Sequence, residues 1–343
     1  MSHDRRIGAI VAVLVVLHAA AIFADFLAPY DFATQDRSMA FAPPARLHFV
    51  DNTGHFHLRP FVYGIKLRQG SFTDYQQDQT RLFPIRFYVT GEPYKVLGWW
   101  TSRLRCFGVE EPGRIFLMGS DGFGRDVFSR LLYGGRISLF SGLLAAGLSL
   151  GIGLLLGAFS GFYGGWLDDI IMRVSEVFLA LPWVYLLLAL RAFLPLRLDP
   201  AGTFFLLVGV IGFVGWARPA RLVRGVVLSA KERTFVLAAR GFGASNSYLL
   251  RRHALPPAFG VLLTQAALLV PQYILAEVTL SFLGLGVADP VPSWGNMLAE
   301  LQQYHVLTSY WWMLIPGFAL VPVFLAYYVL ANLLHQRVKS VVL

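Results

Sequence analysis

The chain has 343 residues, of which 56% are hydrophobic and only 14% charged, and its mean hydropathy is +0.57. That is more apolar surface than one core hides, so an ordinary water-soluble domain is excluded. The net charge of +9 would suit a nucleic-acid binder, but the basic residues crowd beside apolar runs, which is the pattern of membrane topology, and no nucleic-acid partner is expected.

A helix crosses the roughly 30 Å hydrocarbon layer in about 20 apolar residues, and about six such segments are present. The first runs from Ile7 to Ala28 behind Arg5 and Arg6. Its apolar run exceeds that of a signal peptide, so it reads as a span and not a leader. From Tyr30 to Ile115 the chain turns polar, aromatic and proline-bearing, and is expected to be mostly strand. Leu47, Phe49 and Val50 lead through Asp51-Asn52-Thr53-Gly54 to Phe56 and Leu58, a hairpin pattern, and Leu82 to Val89 is a second strand. His55 and His57 alternate along a strand close to His48, yet no ligand set is completed and no metal site is expected. Cys106, the single cysteine, has no intrachain partner.

Gly119-Ser120-Asp121 precedes Gly124-Arg125-Asp126-Val127-Phe128-Ser129-Arg130, where Ser120 or Asp121 caps an amphipathic interfacial helix feeding the second span. That span covers Ile137 to Phe162. Gly153, Gly157, Gly161 and Gly165 recur every four residues and mark a face where another backbone approaches closely, within this chain or in a second subunit. Next, Asp169 and Arg173 are spaced to pair at the interface, with Glu176 just beyond. A third span covers Val177 to Leu194 and a fourth Thr203 to Ala217.

Ser229-Ala230-Lys231-Glu232 has the form of a capping box that starts a helix. This helix carries Ala238 and Ala239, breaks at Gly241 and Gly243, restarts near Ser245 and ends at Pro256-Pro257. The fifth span, Phe259 to Leu283, holds Glu277, an acid that must face protein or a watery path. The last runs from Trp311 to Leu334, with Tyr310, Trp311 and Trp312 as an interfacial belt. Arg5 and Arg6, the basic cluster from Arg218 to Arg252, and Arg337 with Lys339 all fall on one side. The positive-inside rule makes that side the cytoplasm and places both termini there.

Three stretches carry a resemblance. Ala238-Ala239, Arg240, Gly243-Ala244 and, past His253, Leu255-Pro256 resemble the EAA loop of importer-type ABC permeases. Leu237 replaces the family's Glu and His253 its usual Ile, departures frequent in the peptide-importer branch. The run from Gly119 through Asp121, Gly124, Arg125 and Asp126 to Leu139 is similar to the signature before the second span of dipeptide and oligopeptide permeases of the C-subunit type. Leu280 to Gly286 and Pro292 to Glu300 resemble their segment after the fifth span.

The resemblance implies an all-α polytopic membrane protein of the type I ABC importer permease fold; the mostly β extracytoplasmic insertion between Tyr30 and Ile115 departs from it, being longer than the family's corresponding loop. The resemblance divides the chain into residues 1–28, an insertion over 29–118, and a permease domain over 119–343 with a coupling loop at 229–258. It further implies a homologous B-type permease, two ABC ATPase subunits, an extracytoplasmic solute-binding protein and a peptide cargo, in a bacterial or archaeal plasma membrane. The chain has no GxxxxGK[ST] sequence, so it is expected to be no enzyme and to bind no cofactor, with ATP and Mg on the partner ATPases. One rival class is an ion-coupled secondary transporter or channel using Glu277, and a second is a membrane-embedded enzyme with catalytic His and Asp residues in the outer region, for which no set of acid, base and nucleophile emerges.

Overall fold

The structure, a computed structural model, describes residues 2–68, 74–96, 99–193, 195 and 198–342. Helices α1 (Ser2–Ile22) and α2 (Ala24–Leu27) precede five strands: β1 (His48–Val50), β2 (Phe56–Leu67), β3 (Tyr75–Pro84), β4 (Arg86–Val96) and β5 (Trp100–Gly108). The helices α3 (Val127–Tyr163), α4 (Gly165–Ala180), α5 (Trp183–Phe193), α6 (Pro200–Gly215), α7 (Ala217–Lys231) and α8 (Thr234–Gly241) follow. Then come α9 (Asn246–Leu249), α10 (Pro256–Phe282), α11 (Trp294–Ala299), α12 (Tyr304–Ser309) and α13 (Ile315–Val342).

Among the described residues, Asp4–Ile22, Val127–Tyr163, Pro256–Phe282 and Trp311–Arg337 are each long and apolar enough to cross a membrane. Two further segments qualify only as bent pairs, α4 with α5 at 97° and α6 with α7 at 45°. The expected third span is therefore not one helix, and its limit at Leu194 lies outside the described residues. Its break has a local cause: a residue before proline is driven to extended backbone, and Leu181 before Pro182 has φ −81° and ψ 136°. At the expected fourth span, α6 is followed directly by α7 across a 45° bend, beside Pro219 in the first turn of α7, which has no N–H for the preceding turn.

Contacts divide the chain into two units, Met1–Leu14 with Leu139–Leu280 and Val321–Leu343, and Val15–Ser138 with Ser281–Leu320. In the first, α3 meets α7 through its glycines. A methyl group on Gly157 would lie 2.3 Å from the Ala220 carbonyl oxygen, one on Gly153 2.6 Å from Pro219 Cβ, and one on Gly161 2.8 Å from the Arg224 carbonyl oxygen. Close packing within the chain thus accounts for three of the four periodic glycines. Gly165 does not join them: its φ is +60° and a methyl there would meet nothing within 4 Å, since it sits in the turn that opens α4. The same contact brings Arg224 of α7 onto Asp168 of α4, which also accepts from Ser160. Arg173 pairs with Glu176 at 3.6 Å, not with Asp169 as its spacing suggested.

In the second unit, β1, β2 and β3 form an antiparallel sheet and β4 and β5 a separate hairpin. Val50 faces Phe56 across the expected turn. Leu82 to Val89 is not one strand, because it straddles the end of β3 and the start of β4 at Ile85. The histidines do not converge on one point: His57 Nε2 lies 2.9 Å from Asp51 Oδ2, His55 Nδ1 lies 2.7 Å from Thr53 Oγ1 and 3.8 Å from Asp51 Oδ1, and His48 Nε2 lies 3.2 Å from Gln77 Nε2. Tyr310 and Trp312 are core and not belt, packed with Val127, Met297, Val306 and Met313. Trp312 Nε1 donates to the Ser120 carbonyl at 3.0 Å; Trp311 alone of the three is exposed.

Gly157→Leu is expected to destabilise the detergent-solubilised chain by about 1–3 kcal/mol or more, as overpacking against unyielding backbone does. Gly151→Leu, on the same helix with nothing within 4 Å, should leave the thermal unfolding midpoint almost unchanged. Equal shifts for both would remove the backbone contact as the cause.

Candidate functional site

Two groups of residues stand out. The first is a helical knob over residues 217–258. Helix α7 buries Ala217, Ala220, Val223, Val227 and Ala230, a spacing of three and four residues that marks one continuous face. That face runs through Ser229 to Lys231, so the capping-box reading of Ser229 fails: the chain stays helical until Glu232 and restarts at Thr234 behind an extended Arg233. Amphipathic burial over four turns outweighs a local cap of about 1 kcal/mol.

Gly243 closes α8. Its φ is +85°; its N–H donates to the Arg240 carbonyl at 2.9 Å, and the Ala244 N–H to the Ala239 carbonyl at 3.1 Å. This is the paired-bond helix stop that a left-handed residue permits and glycine favours. Ser245 then caps α9, accepting from Tyr248 N at 3.3 Å. A widened turn over Leu250–Ala254 delivers Leu255 N to the Leu250 carbonyl at 2.9 Å. Pro256 and Pro257 open α10 and do not end the preceding helix, a position where absent N–H groups cost nothing.

Val236, Leu249, Leu250, Ala254 and Ala258 join Ala158, Phe162, Val223 and Val227 in one core cluster, with Ala239, Ala244 and Leu255 packed at its edge. The outer side is different. Ala238, Arg240, Gly243 and Pro256 are exposed, beside Phe235, Leu237, Tyr248 and Phe242, the last 93% exposed. Arg233, Arg251 and Arg252 surround them. His253 stands edge-on to both Phe235 and Tyr248, with ring centroids 5.6 Å apart in each pair. The exposed aromatics went unnoticed in the sequence; their signal is an eight-residue helix whose apolar residues exceed the one, Val236, that it buries.

The second group lies in the other unit. Asp126 caps α3, accepting from Ser129 N at 2.8 Å and Ser129 Oγ at 2.6 Å, so neither Ser120 nor Asp121 is the cap. Asp121 instead holds the loop, accepting from Phe123 N at 2.9 Å and Arg125 N at 3.0 Å. No separate interfacial helix exists: residues from Val127 onward belong to α3, and Arg125, Asp126 and Arg130 are buried. Arg125 Nε meets Asp121 Oδ2 at 2.6 Å, its Nη1 meets Asp289 Oδ1 at 3.0 Å and its Nη2 faces Glu300 Oε1 at 3.6 Å. Arg130 Nη2 reaches the same Asp289 oxygen at 3.0 Å. Gly124, at φ +72°, lies so close to residue 36 that a methyl would sit 1.8 Å from the Asp36 carbonyl oxygen. Gly119, at φ +78°, is covered by the Trp312 ring. The signature residues Gly119, Asp121, Gly124, Arg125 and Asp126 therefore form one folded corner, completed by two acids far along the chain.

Burial pushes the Glu300 carboxyl up to about 7, with Asp121 adding to the rise and Arg125 and Arg130 opposing it. Asp126 is also pushed to about 7 by burial, against its bonds from Ser129. Glu277, by contrast, is fully buried within α10 and belongs to neither group.

Two measurements test the corner. Arg125→Met should cost about 3–5 kcal/mol in unfolding free energy, because it takes from the buried Asp121 carboxylate its 2.6 Å partner and leaves Arg130 at 3.5 Å as the nearest cation. Since the folded chain holds protons on Glu300 and Asp126 above their ordinary range, the stability that these two carboxyls contribute is fully present below about pH 4 and is lost as pH rises toward 7. Glu300→Gln should flatten part of that fall in thermal unfolding followed from pH 5 to 8; an unchanged slope would assign it elsewhere.

Known proteins resemble this chain along much of its length. A model described as the N-terminal TM domain of oligopeptide transport permease C matches residues 7–44. The oligopeptide transport system permease protein OppC of Bacillus subtilis is 40% identical over 215 residues, covering 62% of this chain and 68% of that protein. The dipeptide transport system permease protein DppC of Alkalihalophilus pseudofirmus is 35% identical over 236 residues, 68% of this chain and 75% of the relative. Among solved structures, the inward-facing methionine ABC transporter MetNI matches with a TM-score of 0.44 and 18% identity, over 62% of this chain and 95% of that one. The model that matches residues 153–340, more than half of the chain, is the binding-protein-dependent transport system inner membrane component, and this chain belongs to that family.

Proposed function

We propose that this chain is the transmembrane permease subunit of an ATP-driven, binding-protein-dependent importer of peptides. It forms the translocation path with a second, homologous permease and is driven by two separate ATPase subunits. The observation that carries the reading is the knob, whose exposed apolar and basic surface is mounted on a core shared with α3, α7 and α10. In this reading Ala238, Arg240, Gly243 and Pro256 present the docking face, while Ala239, Ala244 and Leu255 anchor it. ATP binding draws the ATPases together and moves the knob. Because Val236, Leu249 and Ala258 are packed on α7 and α10, the displacement passes to those helices as a body, and the path alternates between its two openings. The chain contributes no nucleotide site, and ATP with Mg belongs to the partners.

In this reading the knob side is the cytoplasm, and residues 29–118 are an extracytoplasmic insertion. The corner of Arg125, Asp121, Asp289 and Glu300 then fixes the outer end of α3. Peptide as cargo rests on relatives named for oligopeptide and dipeptide transport. Ion-coupled transport through Glu277 is not favoured, since it leaves the knob without a role.

Tagged chain purified from its native membrane in mild detergent should bring down a second permease and ATPase subunits. Phe242→Asp, at a position too exposed to disturb the core, should lose the ATPases while keeping the second permease. Wild-type chain isolated without any ATPase, or a Phe242→Asp variant that retains them, would overturn the coupling role of the knob.

A further inference from the structure

The C-terminal part of α1, with α2, faces the β4–β5 hairpin across an open groove of about 650 Å³. On the helical side Val16, Ala19, Ala20 and Phe23 line it, a spacing of three and four residues that places them on one face. The two alanines form a hollow between the larger Val16 and Phe23. On the hairpin side the lining is Tyr94, Ser102 and Leu104; Tyr94 also donates its hydroxyl to the Leu104 carbonyl at 2.6 Å. The hairpin is fixed in place: Arg105 Nη1 donates to the Ala28 carbonyl at 3.0 Å, and Tyr88 lies beside Phe26 with ring centroids 6.4 Å apart.

Depth identifies what fills the groove. At 1.5 Å per residue, Val16 lies about 14 Å and Ala20 about 20 Å along α1 from Ile7, with Phe23 just past the helix end, within a hydrocarbon layer about 30 Å thick. The helical side is thus the far half of a membrane crossing, and residues 7–44 match a family model described as a TM domain. Val16 is 65% exposed and Phe23 50%, so this surface continues the lipid-facing side of α1. The hairpin, two strands with open outer edges, cannot itself enter hydrocarbon, because nothing there would satisfy its free N–H and C=O groups. It must lie at the interface, where Trp99 and Trp100, 94% and 76% exposed, are the side chains that anchor well.

We infer that the groove is a phospholipid site. One acyl chain lies along Val16, Ala19, Ala20 and Phe23, and its glycerol end sits beneath Tyr94 and Ser102. The hairpin acts as an interfacial roof on that lipid, a role that depends on neither the cargo nor the ATPase partners.

The test uses the full chain in phosphatidylcholine vesicles, with Cys106→Ser removing the only native thiol and one bimane-labelled cysteine at Leu104→Cys. Phospholipid brominated near the carbonyl end of its acyl chains should quench that probe strongly, and aqueous iodide should not. The same probe at Thr53→Cys, on the exposed turn of the first hairpin, should show the reverse. Ala20→Trp, which fills the hollow, should relieve most of the bromine quenching at Leu104. Iodide quenching at Leu104 would mean a water-filled groove. Exclusion of both quenchers would mean a protein occupant, and bromine quenching insensitive to Ala20→Trp would mean that the probe reads the surrounding bilayer. Each of these three results overturns the site.

Discussion

The contact on which most of the larger unit depends is the backbone approach of α3 to α7. Without side chains at Gly153, Gly157 and Gly161, the two helices come close enough for one to touch the other's carbonyl oxygens. Lipid offers no hydrophobic drive for helices to associate, so van der Waals fit of this kind supplies the attraction. Its effects spread outward. It sets the face on which α7 carries Val223, Val227 and Ala230, and therefore where the knob's core forms. It also brings Arg224 to Asp168, tying α4 to α7.

The smaller unit is organised by charge. Arg125 and Arg130 are each 2% exposed at the side chain, and between them they engage Asp121, Asp289 and Glu300. Such a cluster adds little net stability compared with apolar packing, but losing Arg125 takes the nearest cation from the buried Asp121 and the mostly buried Glu300, while Asp289 stays open to solvent. The two arginines share Asp121 and Asp289, which ties the loop before α3 to the segment before α11. Arg130 also donates to the Phe32 and Pro290 carbonyls at 3.3 and 3.2 Å, so the outer chain segments converge on the same two guanidinium groups.

Much of this was legible in the sequence because it is local. The apolar runs, the four-residue glycine period, the turn after Val50, the stop at Gly243 and the restart near Ser245 each depend on a few neighbouring residues. The errors came where a local signal met a longer one. Ser229 and Glu232 look like a helix start, but the burial face of α7 passes through them. Leu82 to Val89 has the composition of one strand, yet two sheets divide it at Ile85. The acids that complete the Arg125 corner were beyond reach for another reason: Asp289 is 164 residues away, and no periodicity connects positions at that distance. The resemblance of residues 292–300 to a family segment marked the region without revealing what Glu300 touches.

The right-angled corner between α4 and α5 restricts where that part of the chain sits in a bilayer. Pro182 has no N–H to offer the Phe178 carbonyl, while Leu181 N still reaches the Val177 carbonyl at 3.3 Å. Hydrocarbon would leave an oxygen without a donor bare at several kcal/mol. A bend of this kind is tolerated at membrane depth where protein or water lies against it, and acyl chains are poor neighbours for it.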